Sequence, residues 1–266
     1  MITVYTLGPK FSYSYNLTAK QFPGQKIICL NNIESIFEKV NQEKNARGIL
    51  PIENMLNGSV RESLLALKKY SVCIEKSFDM EIEHILAAQS KKYQKIISHP
   101  QSLAQCSDYL KNKNCQIVET SSTSEAMFLA SQDKTLAAIG NEEAVKYYGL
   151  VAIKRNISNK SQNITRFIEI KNASKKCSRV GTKTSMIITP REDRAGLLFE
   201  ILSVFEIKKI NLTKIESIPT GKKMNDYIFY LDIDGALEEK RIQDAVDFLE
   251  TFVKVDVFGS YNIEEK

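Results

Sequence analysis

The first two-thirds of this chain alternates strand-like apolar runs with amphipathic helical stretches. In one such stretch, Ile33, Ile36, Phe37 and Val40 recur at the spacing of a single helix face. Strands that alternate with helices indicate βαβ units, so the sequence predicts an α/β fold with a mainly parallel sheet. The predicted strands cover residues 2–7, 26–30, 48–52, 96–98, 116–118, 136–139 and 164–170, and further helices are predicted at residues 100–110, 123–130 and 142–148.

Residues 71–88 interrupt this alternation, because two strand-like runs follow one another there without a helix between them. The runs separate at Phe78–Met80, which suits a crossover from one α/β lobe into another. The strand at residues 164–170 would then carry the chain back, so we expect two lobes with a central cleft. Lobe 1 is predicted at about residues 1–78 and 157–175, and lobe 2 at about residues 79–156.

The composition changes after Ile170. Residues 171–178 are polar, basic and poor in large apolar side chains, which is typical of a linker. The order strand, helix, strand, strand, helix, strand follows, and it predicts a small ferredoxin-like βαββαβ module over residues 182–262. Its predicted elements cover residues 184–189, 195–208, 211–217, 226–232, 239–252 and 253–258.

Charge and cysteine content exclude several classes of protein. The formal net charge of +5 is modest and its basic residues are scattered among acidic ones, whereas nucleic-acid surfaces cluster them. The apolar stretches are too short for a membrane span, and residues 1–5 read as a strand rather than a secretory signal, so a cytoplasmic location is expected. Five cysteines, without a Cys-x-x-Cys pair, predict free thiols, and with only two histidines no metal site is expected.

Three polar signatures stand at the ends of apolar runs: Pro51–Asn54, Ser98–Gln101 and Asn163–Phe167. In open α/β sheets, ligands bind in the crevice beyond the carboxyl ends of the strands. The amides, hydroxyls, imidazole and guanidinium of these signatures therefore predict a site for a small polar or anionic ligand.

Several of these side chains also have a simpler interpretation. Ser12 or Ser14 could cap the first helix, or could hold a ligand carboxylate together with the helix dipole. Glu53 could be a solvated or capping group, and His99 a hydrogen-bonded packing residue. Arg166 could be a solvated side chain on an edge strand.

Strand alternation divides the third signature between two faces. Asn163, Thr165 and Phe167 point one way, while Ile164 and Arg166 point the other. Because this strand is also the predicted return between the lobes, we expect its first face to line the cleft.

Short motifs follow one another along the chain in a fixed order. They are Gly8-Pro9, Pro51-Ile52-Glu53-Asn54 with Gly58-Ser59-Val60, Ser98-His99-Pro100-Gln101 with Gln105-Cys106, Ser122-Thr123-Ser124-Glu125-Ala126, Ala138-Ile139-Gly140, Tyr148-Gly149-Leu150 and Asn163-Ile164-Thr165-Arg166-Phe167. Together they resemble the prephenate dehydratase family over nearly the whole chain. The C-terminal module, through Arg194–Leu198 and Asn211–Ser217, is similar to an ACT domain. Since no chorismate mutase segment precedes the first strand, a single-activity enzyme is expected.

The resemblance implies two lobes of the type II periplasmic-binding-protein kind and a reaction that turns prephenate into phenylpyruvate, with loss of carbon dioxide and water and without metal or organic cofactor. It also implies an ACT domain that senses phenylalanine and pairs the chain into a homodimer or homotetramer.

The resemblance also implies roles for individual residues. Thr165 would donate a proton to the departing hydroxyl, and Glu53 is an alternative proton source if burial raises its pKa. Arg166 would orient the strand or bind an anion from the opposite face. The implied substrate-binding residues are Ser12, Ser14, Asn54, Ser98, His99, Gln105, Ser122, Asn163 and Phe167, and the implied effector-binding residues are Gly196, Leu197, Leu198, Asn211, Leu212, Glu216 and Ser217.

The chain departs from the family pattern at a few positions. Phe11–Ser14 stands where the family usually reads Gly-Thr-Phe-Ser, and Met55 replaces a serine. In the ACT module, Ile218 stands where an arginine is common and Leu197 replaces an alanine. Arogenate dehydratase and a non-catalytic amino-acid sensor on the same scaffold stay open as alternatives.

Overall fold

The computed structural model of the chain describes residues 2–160, 162–174, 176–221 and 226–265. Lobe 1 is built mainly from the N-terminal elements. These are β1 (Thr3–Leu7), α1 (Tyr13–Gln21), β2 (Lys26–Leu30), α2 (Ile33–Gln42), β3 (Ala46–Asn54), β4 (Gly58–Ser59), α3 (Arg61–Lys69) and β5 (Val72–Glu81).

Lobe 2 follows, and one strand then returns to lobe 1. The elements of lobe 2 are β6 (Ile85–Ala88), β7 (Lys95–Ser98), α4 (Pro100–Gln105), α5 (Ser107–Lys111), β8 (Gln116–Glu119), α6 (Thr123–Gln132), β9 (Leu136–Gly140), α7 (Glu142–Tyr147) and β10 (Val151–Lys154), and the returning strand is β11 (Ile164–Asn172).

The C-terminal module has the βαββαβ order predicted from the sequence. Its elements are β12 (Lys183–Pro190), α8 (Leu197–Ile207), β13 (Leu212–Pro219), β14 (Tyr227–Asp234), α9 (Lys240–Leu249) and β15 (Val253–Tyr261), followed by β16 (Ile263–Glu265). No helix within the described part of the chain combines the length and the apolar run that crossing a bilayer requires.

The sheets of both lobes are mixed rather than mainly parallel. In lobe 1 the strand order is β16-β5-β11-β3-β1-β2, with β4 beside β3. β1 is parallel to β2 and β3, but β11 is antiparallel to both β3 and β5 because it is the strand on which the chain comes back from lobe 2. Lobe 2 has the order β10-β6-β9-β7-β8.

The predicted break at Phe78–Met80 is wrong, because β5 continues through these residues to Glu81. Asp79 stays within the strand because it pairs with Arg166 of β11 in the antiparallel register. The crossover into lobe 2 lies just after Glu81, before β6 begins at Ile85.

The ACT-like sheet, in the order β13-β14-β12-β15, is covered on both faces. On one face, α8 and α9 enclose a core that includes Ile201 and Leu249. On the other, Ile218, Tyr230 and Phe258 join the core of lobe 1. The C-terminal strand β16 lies beyond the predicted end of the module at residue 262. It pairs in parallel with β5 of lobe 1 and so strengthens this contact.

The cysteine prediction is corrected by a disulfide between Cys73 and Cys177, while Cys29, Cys106 and Cys115 remain free thiols. The two bonded residues are separated by 104 positions, and the fold brings the segment before β12 alongside β5. Local spacing carries no information about a pair this distant, which is why the Cys-x-x-Cys criterion missed it.

The predicted helix at residues 100–110 is two short helices, α4 and α5. Cys106 lies between them with φ −112° and ψ 13°, outside the helical region, so the helix axis is interrupted there. Gln101 and Gln105 lie before the break and still face one site.

Candidate active site

A cleft of about 400 Å³ lies between the two lobes. It collects residues from the strand ends and helix starts of both lobes, as the rule for open α/β sheets requires. The predicted residues that line it are Ser14, Asn54, His99, Gln105, Ser122, Asn163, Thr165 and Phe167.

Thr165 presents its hydroxyl to this cleft from β11. The residue is 9% exposed, and its Oγ1 accepts a hydrogen bond of 2.9 Å from Asn54 Nδ2. Asn54 lies directly opposite in the antiparallel register between β11 and β3. Among the described residues none accepts the Thr165 hydroxyl proton, so the hydroxyl can donate it to a ligand.

Asn54 is fixed from two directions. Its Oδ1 accepts from the backbone N–H groups of Leu56 and Asn57, at 3.2 and 3.1 Å, which holds the turn after β3. Its Nδ2 donates to Asn163 Oδ1 at 2.8 Å as well as to Thr165. A side chain held by four such contacts positions the Thr165 hydroxyl rigidly.

The same network extends across the cleft into lobe 2. Asn163 Nδ2 donates to Gln105 Oε1 at 3.1 Å, and His84 Nε2 lies 2.8 Å from the same oxygen. Because the amide oxygen only accepts, His84 carries its proton on Nε2. The lobes are thus joined by a polar chain that runs from His84 to Thr165.

His84 is a cleft residue that the sequence analysis did not select. It is 1% exposed and lies between β5 and β6, at the crossover between the lobes. The sequence did contain one signal that could have identified His84, namely a histidine located between two buried strands at the crossover. Local sequence gave it no partner, since Gln105 becomes its neighbour only through the fold.

Lowering the pH is expected to reduce the free energy of unfolding through His84. Burial lowers the pKa of His84 below its ordinary value of 6.5, with its hydrogen bond to Gln105 acting in the opposite direction. The unfolded chain therefore takes up this proton at a higher pH than the folded protein. As the pH falls below 6.5, His84 contributes a loss of up to about 1.4 kcal/mol per pH unit until the folded form is protonated too.

Urea unfolding at about pH 7.5 and about pH 5.5 measures this effect. His84→Gln removes the titrating group and should show a smaller loss over this interval than the wild type. His99→Gln removes the other histidine as a control, and its loss should exceed that of His84→Gln. Equal losses in the wild type and in His84→Gln would refute the assignment.

Two predicted substrate-binding serines, Ser98 and Ser12, make structural hydrogen bonds. Ser98 is fully buried and donates to the backbone oxygen of Ile139 at 2.7 Å, so it joins β7 to β9 and does not line the cleft. Ser12 caps α1, accepting from Tyr15 N–H and donating to the Leu7 oxygen. For Ser12 the structure shows the capping role, and ligand binding, which is compatible with it, stays a prediction.

Glu53 and Arg166 lie outside the cleft, so the structure does not support catalytic roles for them. They line a separate depression of about 350 Å³ together with Asp79. Arg166 forms two hydrogen bonds with Asp79, of 2.7 and 2.6 Å, and this pairing raises its pKa above the ordinary value. Glu53 Oε1 lies 2.9 Å from Lys214 Nζ of the C-terminal module.

Phe11, at the position where the family usually has glycine, links the lobes. Its backbone is left-handed, with φ +64°, a conformation that costs a non-glycine residue about 1–2 kcal/mol. Its ring stacks on Tyr147 of lobe 2 with centroids 3.8 Å apart, and its carbonyl accepts from Asn141 Nδ2 at 2.7 Å. These contacts offset the backbone strain.

The predicted effector residues separate into two groups within one chain. Gly196, Leu197 and Leu198 line a cavity of about 420 Å³ at the start of α8, where Gly196 has φ +82°. The other four are Asn211, Leu212, Glu216 and Ser217, which lie at or in the edge strand β13 and do not line that cavity.

Residues 4–175 match the family model for prephenate dehydratase. The chain belongs to the prephenate dehydratase family. Residues 186–251 match the ACT domain model, so an ACT domain follows the dehydratase region. The match covers both lobes with their cleft, and the C-terminal sheet separately.

Relatives from several lineages share almost the whole chain. The prephenate dehydratase of Methanocaldococcus jannaschii is 34% identical, covering 98% of this chain and 97% of the relative. A bifunctional chorismate mutase/prephenate dehydratase of Buchnera aphidicola is 35% identical, covering 97% and 70%. An arogenate dehydratase/prephenate dehydratase of Arabidopsis thaliana is 30% identical, also covering 97% and 70%.

Solved structures of prephenate dehydratases have the same fold. The Staphylococcus aureus enzyme superimposes with a TM-score of 0.87 at 26% identity, covering 98% of this chain and 100% of the other. The Arthrobacter aurescens enzyme in complex with L-Phe gives 0.87 at 28% identity, covering 98% and 90%.

Proposed function

We propose that this chain is a prephenate dehydratase, a decarboxylating carbon–oxygen lyase that forms phenylpyruvate for phenylalanine biosynthesis in the cytoplasm. The observation that carries the proposal is the Thr165 hydroxyl, held by Asn54 with its proton free in the cleft of a chain of this family. Residues 1–175 would form the catalytic domain and residues 182–262 the ACT domain.

The reaction requires one proton and releases two molecules, water and carbon dioxide. Thr165 donates its hydroxyl proton to the ring hydroxyl of prephenate, which leaves as water. The bond between the ring and its carboxylate breaks, carbon dioxide leaves, and the electron pair completes the aromatic ring. Threonine is a weak acid, so transfer occurs late in bond breaking, and solvent then returns a proton to Thr165.

The rest of the cleft supplies binding and orientation. Ser14 and the Ser122-capped start of α6 offer hydroxyl and N–H donors, which suit carboxylates near a positive helix end. Asn163 and Gln105 supply amides, and Phe167 supplies an apolar wall for the ring. Closing such a cleft excludes water from the carboxylate that is lost, which favours decarboxylation.

The ACT domain is proposed to bind phenylalanine and to pair two chains. Apolar side chains stand exposed on α8 and β13, including Phe199 at 75%, Ile207 at 70% and Ile215 at 44%. Side-by-side pairing in a homodimer or homotetramer would cover them and bring β13 of one chain towards the Gly196 cavity of another. The side chain of Ile218 is buried against lobe 1. The presence of isoleucine where the family commonly has arginine therefore removes no side chain from the exposed edge of β13.

Arogenate is the second candidate substrate, favoured by the relatives whose names include arogenate dehydratase. Purified protein incubated with either compound should release phenylpyruvate from prephenate or phenylalanine from arogenate. Turnover of prephenate with inhibition by phenylalanine is the expected result. Phenylalanine binding without either product would favour the sensor instead.

A further inference from the structure

The edge strand β13 of the ACT domain forms two polar contacts with one hairpin of the catalytic lobe, in addition to the packing of Ile218 against the core of lobe 1. This hairpin consists of the end of β3, its turn and β4, with Glu53 paired to Ser59 and Asn54 to Gly58. Lys214 of β13 lies 2.9 Å from Glu53, and Glu216 accepts a hydrogen bond from Ser59. Lys214 and Glu216, two residues apart on β13, thus each contact a different strand of the hairpin.

The same hairpin positions the Thr165 hydroxyl. Glu53 and Asn54 are neighbours on β3, so their side chains point to opposite faces of the sheet. Lys214 binds Glu53 from the ACT side, while Asn54 holds Thr165 on the cleft side at 2.9 Å. A displacement of Glu53 therefore moves Asn54 through one peptide unit.

The ion pair is built into the domain interface. The side chain of Lys214 is 11% exposed and that of Glu53 is 33% exposed, and Lys214 Nζ also lies 5.8 Å from the centre of the Tyr230 ring. Tyr230 belongs to the core that the ACT sheet shares with lobe 1. Among the described residues, the buried Lys214 Nζ has no hydrogen-bond partner, so its contact with the catalytic lobe is the ion pair with Glu53.

We propose that Lys214 is a positioning residue, which sets the Asn54–Thr165 pair through Glu53 and couples the state of β13 to the cleft. The expected changes in kcat and in inhibition by phenylalanine rest on the proposed dehydratase function. The expected displacement of the hairpin does not. Removal of the lysine frees the hairpin to shift, and misplacement of a catalytic group by about 1 Å can cost up to 10²-fold in rate.

Lys214→Met tests the proposal by two readouts. Hydrogen exchange should become about tenfold faster at the amides of Leu56 and Asn57, because both donate to Asn54 Oδ1 and report on its position. With prephenate, kcat should fall about tenfold while KM changes by less than about threefold, and the maximal inhibition by phenylalanine should weaken. Lys214→Arg keeps the charge and should restore both readouts.

Lys68→Met is the matched control. Lys68 also crosses the domain interface, donating to Thr189 Oγ1 at 2.7 Å and pairing with Asp256, but it does not touch the hairpin. It should leave exchange at Leu56 and Asn57 and kcat close to the wild-type values. Equal behaviour of the Lys68 and Lys214 variants in both readouts would overturn the proposal.

Two further outcomes keep the inference separate from the proposed function. If the wild type turns over neither prephenate nor arogenate, the proposed function fails, and the exchange comparison alone decides whether Lys214 positions Asn54. If Lys214→Met does not fold, Glu53→Gln removes the same ion pair from the other side. Unchanged exchange at Leu56 and Asn57 in that variant would likewise overturn the proposal.

Discussion

Replacement of Thr165 by alanine is expected to lower kcat by about 10²- to 10⁴-fold, the usual contribution of a positioned proton donor. KM should change by less than about threefold, because the donor acts on the leaving group in the transition state more than on the bound substrate. Asn54 Nδ2 keeps its bond to Asn163 Oδ1, so no buried amide loses its last partner. Steady-state formation of phenylpyruvate from prephenate measures both constants.

Two variants separate the hydroxyl from its surroundings. Thr165→Ser keeps a proton donor and should retain most of the activity. Thr6→Ala removes another buried threonine of lobe 1, whose hydroxyl donates to the Ile49 oxygen and does not line the cleft, so its kcat should stay within about twofold of the wild type. A Thr165→Ala enzyme with wild-type kcat would remove Thr165 from the mechanism.

Local periodicity predicted the fold class because each element carries its own signal. The alternation of strands and helices predicted an α/β fold, and its interruption at residues 71–88 predicted two lobes. The βαββαβ order predicted the C-terminal module. Periodicity does not report which strand neighbours which, so the antiparallel insertion of β11 between β3 and β5 was outside its reach. The continuation of β5 past Asp79 depends on the same pairing, since Arg166 neutralises that carboxylate.

The site was predictable in part for the same reason. Position at the end of a buried strand selected Asn54, but it also selected Ser98, whose hydroxyl donates to the backbone of a neighbouring strand. Thr165 lies near the start of β11 and was selected by side-chain alternation on the returning strand. Alternation on β3 offered a further criterion, because Glu53 and Asn54 are adjacent and only one of them can face the cleft. His84 required knowledge of a contact with Gln105, 21 residues away, which no local pattern contains.

Loss of the Cys73–Cys177 bond is expected to lower the free energy of unfolding by about 4–5 kcal/mol in the chain-entropy account. The bond closes a loop with a sequence separation of 104, which includes all of lobe 2 and the return strand β11. Without it, the unfolded chain gains the freedom of that whole segment while the native contacts stay in place. Urea unfolding of Cys177→Ser against the wild type, both without reductant, measures the difference.

Reductant and a second cysteine variant complete this test. Cys115→Ser removes a free thiol and should leave stability within about 0.5 kcal/mol of the wild type. Dithiothreitol should destabilise the wild type to the level of Cys177→Ser and leave that variant unchanged. Ser178 stays joined to β15 in both cases, because Ser260 N–H donates to its backbone oxygen at 2.8 Å beside the bond. A wild type indifferent to reductant, with five titratable thiols, would show that the bond does not contribute to stability in solution.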